Sequence, residues 1–180
     1  LHVRSRRQRQ MCIRDSWGVV LDEDGTLVTC MRAREMGRTN VVVGDHVSVV
    51  GDTSGKKDTL ARIVRLEDRT SILRRTADDT DSFERIVVAN ADYLLIVSAV
   101  ADPPPRTGFV ERALIAAFVG GLTPLVCLTK SDLADPSAFA AEFRDLDVEV
   151  LTTGVSDSLD ELTEHITGKV SALVGHSGVG

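Results

Sequence analysis

The stretch Lys169-Val170-Ser171-Ala172-Leu173-Val174-Gly175-His176-Ser177-Gly178-Val179-Gly180 decides how the second half of this 180-residue chain is read. Its first part, Lys169–Val174, reads as a buried strand. Its end, Gly175–Gly180, places glycines at 175, 178 and 180. Glycines let the backbone turn tightly, so that successive N–H groups converge on an anion. The phosphate-loop pattern G-x-x-x-x-G-K-[ST] asks for Lys and then Ser or Thr after Gly180. The same residues also begin G-x-S-x-G, which would make Ser177 a nucleophile on a strand-to-helix elbow. Val179 stands where that second pattern needs its last glycine.

Upstream of this loop the grammar is strand–helix alternation. Ile86–Asn90 and Tyr93–Ala99 are apolar and β-prone, and Asp102-Pro103-Pro104-Pro105 ends the second of them. Phe109, Val110, Ala113, Leu114, Ala117 and Phe118 recur at helical spacing before Gly120-Gly121. Pro124–Leu128 predicts a buried strand. Asp135-Pro136 predicts a capped helix running to about Asp145. Val148–Leu151 predicts another strand, and Ser158-Leu159-Asp160-Glu161 a capping box opening a helix that ends at Gly168. Such alternation implies a parallel sheet with helices on both faces. Ligands bind beyond the carboxyl ends of the strands in these sheets, which is where Gly175–Gly180 falls.

A second motif falls at the same edge. Thr129-Lys130-Ser131-Asp132 directly follows the strand Pro124–Leu128. A carboxylate there can accept two parallel hydrogen bonds, from N1–H and the 2-amino group of guanine. Adenine offers an acceptor and no amino group at those positions, so the carboxylate rejects it. The Lys130 stem can lie along a base plane, and Thr129 can tie this loop to the glycine loop by a hydrogen bond. Either motif alone also fits an ordinary loop; together, on one sheet edge, they point to a guanine-nucleotide site. His176 reads equally as a catalytic group or as a loop residue facing solvent, and Asp92 as the cap of a turn between strands.

The first half has a different pattern. Trp17–Leu21, Thr26–Arg32, Val41–Val43, His46–Val50, Thr59–Leu66 and Arg69–Arg74 are short β-rich runs separated by turn residues. They predict a small closed barrel of OB type over residues 17–75. Residues 76–85 read as a polar, acidic linker, and residues 86–180 as the α/β domain. Residues 1–16 carry five arginines. They read as a non-native leader rather than a basic nucleic-acid arm, and are left out of the fold prediction.

Charge divides the chain in the same way. Residues 32–75 hold ten Lys/Arg against six Asp/Glu, residues 76–180 six against seventeen, within a net charge of −6. The basic front, with Arg32, Arg34, Arg38, Lys56 and Lys57 in its connections, suits a polyanion. Trp17 is the only aromatic residue before Phe83, so contacts to the backbone of structured RNA are expected over base stacking. No stretch is long and apolar enough to predict a membrane span. Cys12, Cys30 and Cys127 lack metal-binding or disulfide spacing, as in a reducing cytoplasm.

A base-reading motif that precedes the glycine loop is the reverse of the usual G-protein order. In that order the sequence resembles the ribosome small subunit-dependent GTPase A family (RsgA, also called YjeQ), from about Gly18 to Gly180. Val43-Gly44-Asp45 with Val47, Ile72-Leu73-Arg74-Arg75, Ala89-Asn90-Ala91-Asp92, Thr129–Asp132 and Gly175–Gly180 carry the resemblance. It implies an OB barrel, a partial circularly permuted P-loop GTPase domain, and Thr152-Thr153 in a loop beside the base. It also implies hydrolysis of GTP with Mg²⁺ in late maturation of the small ribosomal subunit, rRNA as a partner, a Zn²⁺ segment further on, and a cytoplasmic monomer. The phosphate-loop Lys, the Ser or Thr for Mg²⁺, the switch regions and the zinc ligands are not among these 180 residues, so hydrolysis by this segment alone is not expected. The competing readings are an RNA-binding barrel with a non-catalytic α/β scaffold, and an α/β-hydrolase with Ser177 as nucleophile.

Overall fold

The structure is a computed structural model, and it describes residues 2–6, 16–37, 39–75 and 85–180, with backbone alone for 2–6 and Arg75. The N-terminal strands are β1 (His2–Arg6), β2 (Ser16–Leu21), β3 (Leu27–Arg32), β4 (His46–Gly51), β5 (Ala61–Leu66), β6 (Ile72–Arg75) and β7 (Arg85–Ala89). There follow β8 (Tyr93–Ala99), α1 (Thr107–Gly120), β9 (Thr123–Thr129), α2 (Ser137–Ala141), β10 (Glu149–Thr153), α3 (Asp160–Ile166) and β11 (Ser171–Gly175). The chain divides into two compact units, residues 1–90 and 91–180.

In the first unit β1–β5 form a closed barrel in the order β1-β2-β3-β5-β4. All neighbours are antiparallel except β3 and β5. Alternate residues point inward, so Val19, Leu21, Val28, Cys30, Val47, Val49, Ala61 and Ile63 fill the barrel, with Trp17 packed against them. Burial pushes the Cys30 thiol up to about 11, as for an inert core residue.

The barrel corrects three expectations. His2–Arg6, set aside with residues 1–16, supplies a strand pairing with β2 on one side and β4 on the other. Those bonds are made by backbone groups, so an extended segment can close a barrel without an alternating apolar pattern. The run Arg69–Arg74 is not a barrel strand. Ile72–Arg75 pairs instead with β7 as a separate two-stranded sheet. Val41–Val43 forms no strand, contributing one bridge from Val43 to Val88. Ile86–Asn90, expected in the α/β domain, therefore lies in the first unit, and the boundary falls at 90/91. The residues 76–84 of the expected linker lie outside the described residues.

Several charges of the first unit serve the fold itself. Asp45 is fully buried, and Arg69 grips it with Nε on Oδ1 at 2.6 Å and an Nη on Oδ2 at 2.8 Å. The Val42 amide donates to Oδ2 at 2.7 Å, and Arg69 also donates to the Asn40 carbonyl at 2.9 Å. Hydrogen bonding to Asp45 raises the Arg69 pKa further above its ordinary value. Arg65 pairs with Glu67 at 2.7 Å. Arg69 is thus engaged within the fold, whereas the Arg65 side chain, though paired, is 63% exposed.

The second unit is a four-stranded parallel sheet in the order β10-β9-β8-β11. The central strands β8 and β9 are near-continuous buried apolar runs, covered on both faces, whereas Leu173 of the edge strand β11 is 67% exposed. Leu95, Leu125, Cys127 and Leu151 pack with Leu162 and Ile166 of α3. On α1, Val110, Leu114 and Ala117 are buried at helical spacing, and the helix ends at Gly121 in the left-handed conformation. Asp92 caps the connection before β8: its carboxylate accepts from the Val170 amide at 2.8 Å. The helix expected from Asp135 to about Asp145 is shorter. Asp135 does accept from the Ser137 amide at 2.9 Å. After Ala141, however, the chain tightens into a 3-10 turn, Arg144–Leu146, and reverses at Asp147 with φ 52°.

Candidate nucleotide site

Three loops meet at the carboxyl edge of the sheet. Val97 of β8 stands beside Gly175 of β11, and Thr129 of β9 lies between Ala99 and Thr153. The sheet order reverses between β8 and β11, because the chain runs from β8 out to β10 and then returns to the other side of β8. Such a switch point is where open parallel sheets leave a crevice.

The glycine loop leaves β11 and turns at Gly178, whose φ of 83° suits glycine. The Thr129 hydroxyl donates to the Val179 carbonyl, joining the two expected motifs. Val179 is buried, while Ser177, Gly178 and Gly180 are exposed. A cavity of 160 Å³ lies beside the loop, lined by Ser98, Ala99, Pro103, Arg106, His176 and Ser177 among others. His176 is not a solvent-facing loop side chain. Its ring lies 4.5 Å from that of Phe109 on α1, and its Nε2 is buried without a hydrogen-bond partner. Among the described residues Ser177 has no hydrogen bond to a histidine, which an esterase nucleophile needs. Burial raises the Cys127 pKa, as for a thiol packed in the core of the sheet.

The Thr129–Asp132 loop is held from two sides. Lys130 has φ 62°, a left-handed conformation that costs a non-glycine residue about 1 kcal/mol. Its Nζ donates to the Asp102 carbonyl in the loop after β8, which ties the loops after the neighbouring strands β9 and β8 together. The Ser131 amide donates to the Thr153 carbonyl at 3.2 Å. Asp132 is exposed, and its Oδ1 accepts from the Val155 amide at 3.1 Å. Among the described residues no protein group donates to Oδ2, so the carboxylate keeps acceptor capacity for a ligand.

Thr152-Thr153, expected in a loop, are instead the last two residues of β10, where Thr153 pairs with Thr129. The sequence reading missed the residues that follow, Gly154, Val155 and Asp157. Asp157 Oδ2 accepts from the Gly154 amide at 2.6 Å and from the Ser131 hydroxyl at 3.3 Å. A glycine followed three residues later by Asp, just after a strand, was the available signal, since Asp hydrogen-bonds nearby backbone in turns.

The basic residues of the first unit lie on its connections. Arg34 is exposed on a 3-10 turn after β3, and Lys56 and Lys57 are exposed between β4 and β5. Arg32 is half-buried and donates to the Thr39 carbonyl at 2.6 Å. Arg38 lies outside the described residues.

Among the described residues no group of three or more His, Cys, Asp or Glu side chains could hold a metal ion. Nor is any described helix long and apolar enough to cross a membrane.

A family model described as RsgA GTPase matches residues 66–180. The chain belongs to the RsgA GTPase family. A protein of Gemmatimonas aurantiaca named small ribosomal subunit biogenesis GTPase RsgA is 33% identical over 173 residues, covering 91% of this chain and 56% of that protein. The RsgA of Chlorobaculum parvum is 29% identical over 176 residues, covering 90% and 57%. The chain thus spans about half the length of the curated relatives it matches. The crystal structure of YjeQ from Thermotoga maritima covers 99% of this chain and 61% of its own, with a TM-score of 0.72 at 23% identity. That of YloQ, described as a circularly permuted GTPase, has a TM-score of 0.70 at 20% identity. These two likenesses concern the fold. RsgA membership replaces the α/β-hydrolase reading of Ser177.

Proposed function

We propose that the chain is the barrel and the base-reading part of a GTP-binding and GTP-hydrolysing factor for late maturation of the small (30S) ribosomal subunit. The observation that carries this reading is the joining of Thr129–Asp132 to Gly175–Gly180 on one sheet edge, through the Thr129–Val179 hydrogen bond. Asp132 reads guanine, with Lys130, Ser131, Thr152 and Thr153 around the base. Gly175, His176, Ser177, Gly178, Val179 and Gly180 form the backbone cradle for phosphate. The exposed carboxylate and the turn at Gly178 fit that division of labour. Mg²⁺ supplies charge neutralisation in phosphoryl transfer. Among the described residues no three or more His, Cys, Asp or Glu side chains gather to hold Mg²⁺ or Zn²⁺.

For the first unit we assign an OB-type barrel, supported by its five-strand closed order. Arg32, Arg34, Arg38, Lys56 and Lys57 contact the rRNA backbone. The protein acts in the cytoplasm as a monomer, and its partners are guanine nucleotide and the small subunit.

Asp132→Asn in the full-length protein tests the site. Titration calorimetry is expected to show GDP binding weakened about tenfold or more. Xanthosine diphosphate should gain, because its 2-oxo group suits an amide donor. Unchanged GDP affinity in this variant overturns the assignment.

A further inference from the structure

We infer that Asp157 is a positioning residue for base recognition: acting through Asp132, it sets the preference for guanine over hypoxanthine. This rests on the guanine-nucleotide reading above and names a residue outside both motifs.

Four hydrogen bonds define the device. Asp157 Oδ2 accepts from the Gly154 amide at 2.6 Å, and the Asp157 amide donates back to the Gly154 carbonyl at 3.3 Å. Those two bonds close the turn Gly154–Asp157. Within it the Val155 amide points at Asp132 and donates to Oδ1 at 3.1 Å. The same Oδ2 of Asp157 accepts from the Ser131 hydroxyl at 3.3 Å, so the turn is fastened to the residue next to Asp132.

Space in this turn is as limited as its hydrogen bonding. A Cβ on Gly154 would lie 3.0 Å from Asp132 Oδ1, 3.1 Å from Ser131 Oγ and 3.2 Å from Asp157 Oδ2. Both carboxylates therefore close on one glycine, and a methyl group there would displace Asp132.

The chemistry follows from what the base offers. Guanine presents N1–H and a 2-amino group, whereas hypoxanthine presents N1–H alone. A carboxylate fixed in one plane meets both donors of guanine at once. A carboxylate free to rotate still meets N1–H but loses the second bond for part of the time. Removing Asp157 frees the turn, the Val155 amide and hence the Asp132 carboxylate. GDP loses affinity and inosine diphosphate (IDP), which never made the second bond, does not.

The test is titration calorimetry of the full-length protein with GDP, IDP and ADP, on wild type, Asp157→Ala and Asp157→Asn. In Asp157→Ala the ratio of GDP to IDP affinity is expected to fall about fivefold, the scale of one lost hydrogen bond. Asp157→Asn keeps an acceptor oxygen and should retain the wild-type ratio. Gly154→Ala reaches Asp132 by another route and should lower the ratio even if Asp157→Ala does not fold. The proposal is overturned if the ratio is unchanged in the Asp157→Ala and Gly154→Ala proteins that fold. It is also overturned if GDP and IDP weaken equally, or if Asp157→Asn falls as far as Asp157→Ala, which would make charge the cause. A wild-type protein that binds ADP as well as GDP overturns the guanine reading instead.

Discussion

In the barrel unit the Asp45 carboxylate is fully buried and both its oxygens are taken by protein donors, Arg69 on each and Val42 on one. In the α/β unit the Asp132 carboxylate stands exposed at the sheet edge with the Val155 amide on one oxygen. The two residues have the same chemistry and opposite duties. Asp45 and Arg69 neutralise each other inside the fold, so their loss is felt as stability. Asp132 is oriented but left partly unsatisfied, so its loss should be felt as binding. Charge alone does not distinguish them; the number of acceptor sites left open to solvent does.

The comparison can be broken most forcefully at Asp45. Asp45→Ala leaves the partly buried Arg69 cation without its partner and should destabilise the barrel unit by about 3 kcal/mol. The chain's one tryptophan, Trp17, packs against the barrel core, so its fluorescence in urea reports this unit. A Trp17 transition unmoved by Asp45→Ala would show that the buried pair does not hold the barrel. A smaller effect is expected between the two site loops. Thr129→Val removes the bond to the Val179 carbonyl and should weaken GDP binding about fivefold, with the Trp17 transition in place. The smallest effect sharpens the contrast: Asp132→Asn, disruptive for binding, should change unfolding free energy by no more than about 0.5 kcal/mol.

Legibility in the sequence followed the same division. Tyr93–Ala99 was readable to the residue as β8, because a strand covered on both faces is a continuous apolar run. The barrel's composition was readable but its membership was not. Ile72–Arg75 looks as strand-like as any barrel segment, and nothing in its pattern says that its partner is Arg85–Ala89. His2–Arg6 lacks the pattern altogether and joins through its backbone. At the site, Thr129–Asp132 and Gly175–Gly180 were legible because their chemistry restricts the residue types allowed. Asp157 was not, since one acid in a polar turn looks like any solvated loop residue until its distances to Gly154 and Ser131 are known.

The strand order β10-β9-β8-β11 also bears on how the molecule comes to exist. Asp92, at the threshold of β8, is bonded to Val170, 78 residues further along. Everything between them must be synthesised before β11 can take its place. During translation, at about 5–20 residues per second, β10 is complete about one to four seconds before β11. Closing so long a loop is a slow, entropically costly event. A chain released shortly before Val170 would therefore hold β8, β9 and β10 with no β11 to bring Gly175–Gly180 to the same edge.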